Sequence, residues 1–221
     1  AITVILGTFT DDGSATKLTE VEDLADQAGV ADIHGTITLT AAEAATVAGY
    51  SNLVAKTSSS GNSSIDFVLS NAATVAQAAD LKNKTAGTLT ATAAGLSDSF
   101  DKFVNSSTTP TAISTNFSTV KTAINNIKVA VTTTLTTAAH VSALDLIGDN
   151  TTGEVTATLD TTKGILASLN DSDQLTGENL TITVTDALNV SEFVAIDAAT
   201  KNNVTLDVGI TSALSTLISS G

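Results

Sequence analysis

Cysteine, methionine and tryptophan are absent from this 221-residue chain, which holds only one tyrosine, one proline and two histidines. Without cysteine there is no disulfide framework, no thiolate metal site and no cysteine nucleophile. No apolar run approaches the ~18 residues of a membrane-crossing helix, so no membrane span is expected. Basic residues are scarce: nine Lys and Arg stand against 23 Asp and Glu, a net charge of −14. That sign repels phosphate backbones, so nucleic acid is not an expected partner. Two histidines leave little capacity for proton transfer near neutral pH, and no enzymatic activity is expected.

What remains is hydroxyl-rich and aliphatic, with 40 Thr, 33 Ala and 22 Ser. High net charge with few aromatics can signal disorder. Here mean hydropathy is positive, and Val, Ile, Leu and Phe recur in patterned runs unlike low-complexity tails. A folded chain with an aliphatic core is expected, long enough to bury most of its apolar surface without cross-links. The first residue is Ala, so the chain reads as processed or as a piece of a longer one. Absence of Cys and Met suits exposure to oxidants, and an extracellular or cell-surface location is expected.

Nine of the 14 Asn residues open an Asn-x-Ser/Thr sequon: Asn62, Asn83, Asn105, Asn116, Asn150, Asn170, Asn179, Asn189 and Asn203. Chance predicts about four at this Ser and Thr content. The excess reads either as glycosylation of an exposed surface or as the turn and strand-edge chemistry of a Thr-rich chain.

Three segments share a pattern: Phe67–Ser107, Val129–Asp173 and Ile182–Gly221. Each opens with a strand-like run, then an Ala-rich helical stretch, a turn, a second Thr-alternating strand and a second short helix. The second strands centre on Leu89, Val155 and Val204. Thr36–Tyr50 resembles the first half of a further unit, and Ile2–Phe9 with Leu18–Val30 a diverged one. Strands alternate as Thr36/Thr38/Thr40, Thr88/Thr90/Thr92 and Thr181/Thr183/Thr185, with Ile37, Leu39, Leu89, Ile182 and Val184 between. One face is then apolar and the other hydroxylated.

Helix starts are expected at Ser97 (ahead of Phe100, Phe103 and Val104), Thr211 (ahead of Leu214, Leu217 and Ile218) and, more loosely, Thr162 (with Ile165 and Leu169). Thr19 and Glu22 have capping-box spacing. Helices of about 8–12 residues need a sheet to pack on. Strands returning through short helices should run parallel, with right-handed crossovers. The expected fold is α/β: repeat-built β-α-β-α units with Thr-rich strands and short capped helices, elongated and stacked. The alternative is a mixed-sheet α+β arrangement. Residues 1–35 form a diverged N-terminal segment with a possible assembly strand, and 36–221 the repeat-built region, with units near 36–64, 65–126, 127–179 and 180–221.

The stretches NAATVAQAADL (71–81), GLSDSFDKFVNSS (95–107) and TVTDALNVSEFVAIDAAT (183–200) resemble repeats of very large bacterial surface proteins. Those are S-layer-like and adhesin-like proteins of cyanobacteria and proteobacteria. The resemblance covers roughly residues 36–221 and implies an extracellular structural role without enzymatic activity. The insertion at 105–127 and the first 35 residues depart from it, and the glycine-rich calcium nonapeptide is missing.

Candidate chemistry is sparse. Asp171, Asp173 and Glu178 in one polar turn, and Asp11 and Asp12 in another, offer hard oxygen ligands suited to Ca2+, or are solvated Asx turns. Diffuse calcium bridging between like-charged copies is the broader expectation. Only His34 and His140 can serve as the base of a catalytic triad, and no G-x-S-x-G elbow accompanies them. Regular Thr ladders can bind ice, but the irregular repeat favours ordinary strand alternation. The apolar run Ile2–Phe9 can pair with its own chain or with the sheet edge of another copy. The expected function is a secreted structural protein assembling with itself at the cell surface as a filament or S-layer-like lattice. The alternative is a glycan- or surface-binding module of a large adhesin.

Overall fold

The computed structural model describes residues 2–10, 16–51, 53, 65–91, 95–167 and 179–211. The chain divides into two compact units. The first comprises Ala1–Ser97 and Thr115–Ile127, the second Asp98–Ser114 and Lys128–Gly221.

The first unit carries a four-stranded sheet in the order β1-β2-β3-β4, from Ile2–Thr10, Val30–Leu39, Ile65–Leu69 and Leu89–Ala91. Every neighbouring pair is parallel. Burial follows the alternation: Ile37, Leu39, Phe67, Leu69 and Leu89 are buried, while Thr36, Thr38, Asp66, Val68 and Thr90 on the alternate positions are not. Helices α1 (Thr16–Asp26), α2 (Ala41–Ala44) and α3 (Val75–Asn83) connect the strands, with a 3-10 turn at Val47–Gly49. Leu18, Val21 and Ala25 of α1, and Val75, Ala78, Ala79 and Leu81 of α3, join the core. Part of the 105–127 insertion returns to this unit as α5 (Thr115–Ala123) and packs on α3, with Phe117 and Val120 buried.

The second sheet has five strands ordered β5-β6-β7-β8-β9: Leu96–Asp98, Val129–Leu135, Val155–Thr161, Asn179–Val184 and Val204–Leu206. The pairings from β6 to β9 are parallel. Among the described residues four helices accompany it: α4 (Phe100–Phe103), α6 (Ala138–Gly148), α7 (Lys163–Leu166) and α8 (Val190–Asp197). Val141, Leu144 and Ile147 of α6 are buried, as are Phe103, Leu159 and Ile182.

The chain is therefore α/β with two parallel sheets. The mixed-sheet alternative does not hold, since each named strand pairing is parallel; one isolated antiparallel bridge joins Val104 and Ile113. The second strands expected around Leu89, Val155 and Val204 are β4, β7 and β9.

Corrections fall on helix starts. Ser97 does not cap a helix: it lies in β5, and its N–H donates to the Ala73 carbonyl. Ser99 takes the N-cap position of α4 without a side-chain cap bond. Thr19 lies inside α1, which begins at Thr16. Glu22 Oε2 instead accepts the Leu53 N–H at 2.6 Å. Thr162 does occupy the N-cap of α7, again without a side-chain bond. The helix expected after Thr211 lies outside the described residues.

Certain hydrogen bonds recur at matching places. Ser70 and Thr185, each just past a strand, donate N–H to the last residues of the preceding strands, Leu39 and Thr161. One residue further on, Asn71 and Asp186 accept through Oδ1 the first helical N–H of α2 (Ala41) and of α7 (Lys163), both at 2.7 Å. Ala73 and Leu188 then bridge in parallel to Leu96 and Ile210. Gly95 (φ 62°) and Gly209 (φ 91°), immediately before those bridging residues, adopt left-handed conformations that glycine tolerates. Buried Thr85 donates to the Ile65 carbonyl and accepts the Gly87 N–H. Buried Thr200 donates to the Leu180 carbonyl and accepts the Asn202 N–H in the same way.

Candidate functional site

Two kinds of surface stand out: hydroxylated sheet faces and open strand edges. Parallel sheets are usually covered on both faces. Here the alternate face of each sheet carries Thr and acidic groups at least partly open to water. On the second sheet, register places Thr134, Thr158 and Thr181 in one rung, and Asp160, Thr183 and Thr205 in another. On the first, Thr8, Thr36 and Asp66 form one rung and Thr10, Thr38 and Val68 another. Thr134, Thr158, Asp160, Thr181 and Thr205 are exposed. Such a face offers hydroxyl donors and acceptors at strand spacing, the chemistry of contact with polar surfaces or sugars.

β1 forms one edge of the first sheet, pairing with β2 inside its own chain. Its nine residues, ITVILGTFT, hold neither charge nor proline, the usual protections of an edge strand. A register shift between Ile5 and Thr8 accompanies Gly7 at φ 70°. Ile5 is 79% exposed. β9 forms the far edge of the second sheet.

Helix entries carry most of the local polar order. Thr40 with Glu43, Thr74 with Gln77, and Asn189 with Glu192 form reciprocal capping boxes. The spacing S/T/N-x-x-E/Q marks all three in the amino-acid sequence. At α6 the same position is filled by His140. Its N–H donates to Thr137 Oγ1 at 3.3 Å, and its Nδ1 accepts the Thr136 N–H at 2.8 Å. Phe100 meets the ring edge-on, with centroids 4.3 Å apart. Burial pushes the His140 pKa below 6.5, favouring the neutral ring that an accepting Nδ1 needs. The neutral tautomer thus carries its proton on Nε2, whereas a triad histidine offers Nδ1–H to a carboxylate. His34 sits half-buried on β2, opposite Ile5.

A cleft of about 400 Å³ lies between α7 and α8, lined by Lys163, Gly164, Leu166, Ala167, Glu192 and Ile196 among others. Lys163 Nζ and Glu192 Oε2 pair there at 3.2 Å. The Glu192 carboxyl is held below its ordinary pKa, first by the Asn189 N–H and then by Lys163.

The calcium candidates Asp11, Asp12, Asp171, Asp173 and Glu178 lie outside the described residues, as do Asn62 and Asn170. Among the described residues no group of three His, Asp or Glu is placed to hold a metal ion. No described helix is long and apolar enough to cross a membrane. The other sequon residues fall into distinct settings. Asn83, Asn116 and Asn203 are exposed. Asn105 and Asn150 spend their Nδ2 groups on Thr111 Oγ1 and the Leu146 carbonyl. Asn189 caps α8, and Asn179 sits in β8 opposite Thr156.

No protein-family model matches this chain, and no curated protein or solved structure matches it either.

Proposed function

We propose that this chain is a non-enzymatic, repeat-built structural protein of the cell surface that assembles with itself into a filament or S-layer-like lattice. The observation that carries the reading is β1: an uncharged nine-residue edge strand on a parallel sheet, with Ile5 open to solvent. An edge without charge or proline is a template for another strand. The repeat reading is supported by the hydrogen bonds shared by Asn71 with Asp186 and by Thr85 with Thr200. Strands that follow one another in sequence order across a parallel sheet suit stacked units, each covering the apolar face of its neighbour. A net charge of −14 opposes close association of copies, so divalent cations such as Ca2+ would promote assembly by bridging acidic surfaces.

Electron microscopy of the purified protein with and without calcium tests this. Ordered polymers that calcium promotes support it. A monodisperse monomer in both conditions overturns it. The open hydroxyl rungs of the second sheet favour a second reading, a glycan- or surface-binding module of a large adhesin. Monomers that bind glycan arrays through those rungs would favour that one.

A further inference from the structure

Among the described residues, the large hydrophobic side chains left exposed are Ile5 (79%), Val194 (58%), Val208 (62%) and Ile210 (40%). They are not scattered. Ile5 lies on β1, the first strand of the first sheet's order. Val208 and Ile210 follow directly on β9, the last strand of the second sheet's order, and Val194 lies on α8, the helix leading into β9. Both strands are sheet edges whose outward backbone groups have no described strand beside them.

We infer that the β9 edge of one copy, with Val194, Val208 and Ile210, receives the β1 edge and Ile5 of a second copy in a parallel, head-to-tail contact. This deepens the self-assembly reading and rests on it. The argument for a second copy, and for this register of ends, is one of complementarity. β1 lacks a neighbour before it in the strand succession and β9 lacks one after it. Joining them across copies in parallel would extend the pairing sense that β1 and β9 already have with their own neighbours. The contact also covers both apolar patches at once. Pairing of β1 with β1 of another copy about a two-fold axis would be antiparallel and would leave Val194, Val208 and Ile210 in water. Because the two surfaces differ, the contact is heterologous and propagates into a chain of copies unless it closes into a ring.

The test uses the full chain with Ile5→Lys or Val208→Lys, which place a charge at exposed edge positions. Thermal melts monitored by circular dichroism confirm that each folds. In sedimentation velocity, the wild type is expected to form a concentration-dependent series of oligomers. Each variant alone is expected to be a monomer, and an equimolar mixture to give a heterodimer and nothing larger, since one intact contact survives. The absence of native cysteine permits a second readout. Oxidation of mixed Ile5→Cys and Val208→Cys chains is expected to give mainly the 5–208 disulfide. Dimers of the Val208→Lys chain alone, or a dominant 5–5 product, overturn the inference. Wild-type polymers that neither lysine disturbs overturn it while leaving self-assembly standing. A wild type that is monomeric at every concentration overturns both.

Discussion

His140 Nδ1 accepts the backbone N–H of Thr136 at 2.8 Å, one turn before its own place on α6. In the helices that follow β2, β3 and β8, a Glu or Gln at this third helical position accepts the N-cap N–H instead. A histidine therefore does a carboxamide's work, and only while it is neutral.

That dependence sets a pH response. Burial lowers the His140 pKa in the folded chain, so the unfolded chain takes up this proton first, around pH 6.5. Stability from this group is then full above about pH 6.5, falls as pH drops from there to the folded pKa, and is level below it. Melting temperatures across pH 5–8 are expected to show this decline in the wild type. The His140→Gln variant, which keeps an acceptor without titrating, is expected to lose that component. Identical pH profiles for the two chains would refute the role.

Thr85 and Thr200 hold comparable buried hydroxyls: Thr85 donates to one carbonyl and accepts one N–H, and Thr200 donates to one carbonyl and accepts two, from Asn202 and Leu180. Replacing either with Val keeps the shape and leaves these backbone groups without their hydroxyl partner. Each substitution is expected to cost about 1–3 kcal/mol in urea unfolding. Comparable losses at the two sites would match their comparable surroundings; a loss at one alone would show that the likeness is superficial.

Gly87 and Gly164 make a contrasting pair. A Cβ on Gly87 would collide with the Ile65 carbonyl, which is backbone and cannot swing away. Gly87→Ala is expected to destabilise by about 1–3 kcal/mol. A Cβ on Gly164 meets nothing within 4 Å, and the residue is helical. Gly164→Ala is expected to stabilise by about 0.5–1 kcal/mol, through reduced freedom of the unfolded backbone. Denaturant midpoints of the two variants should move in opposite directions.

The caps are separable from the charges. Thr74→Ala and Asn189→Ala each remove a side-chain acceptor at a helix start and are expected to cost about 1 kcal/mol. Glu192→Gln keeps the acceptor for the Asn189 N–H, as Gln77 does at α3, and loses the pairing with Lys163. It is expected to melt close to the wild type near neutral pH. The depressed Glu192 pKa makes its contribution full above the ordinary carboxylate range and lost as pH falls through the folded value. The wild type should therefore lose more than Glu192→Gln on acidification, as calorimetry at successive pH values would show.

The strands were the most legible elements. Thr-x-Thr alternation around Ile37, Leu89 and Ile182 marks one buried and one wet face, and the period of two needs no tertiary information. Helix starts read less well. Ser97 has a capper's chemistry, yet its N–H is spent on Ala73, a partner 24 positions earlier, so a strand contact outranked a local signal. Conversely Thr40, Thr74 and Asn189 carry capping-box spacing that is local and needs no tertiary information. Candidate site residues were hardest, because His140 acquires its task from Thr136, Thr137 and Phe100 together.

Composition and local pattern alone determined the acidic surface, the aliphatic core, the hydroxylated strands and the lack of thiol chemistry, since these depend on residue type and near-neighbour period. Tertiary structure alone decided that the strands divide into two parallel sheets, that 115–127 rejoins the first unit through Phe117 and Val120, and that Ile5, Val194, Val208 and Ile210 stay in water. Those outcomes turn on which distant segment each apolar face meets, and a face of given period records its need for a partner without naming one.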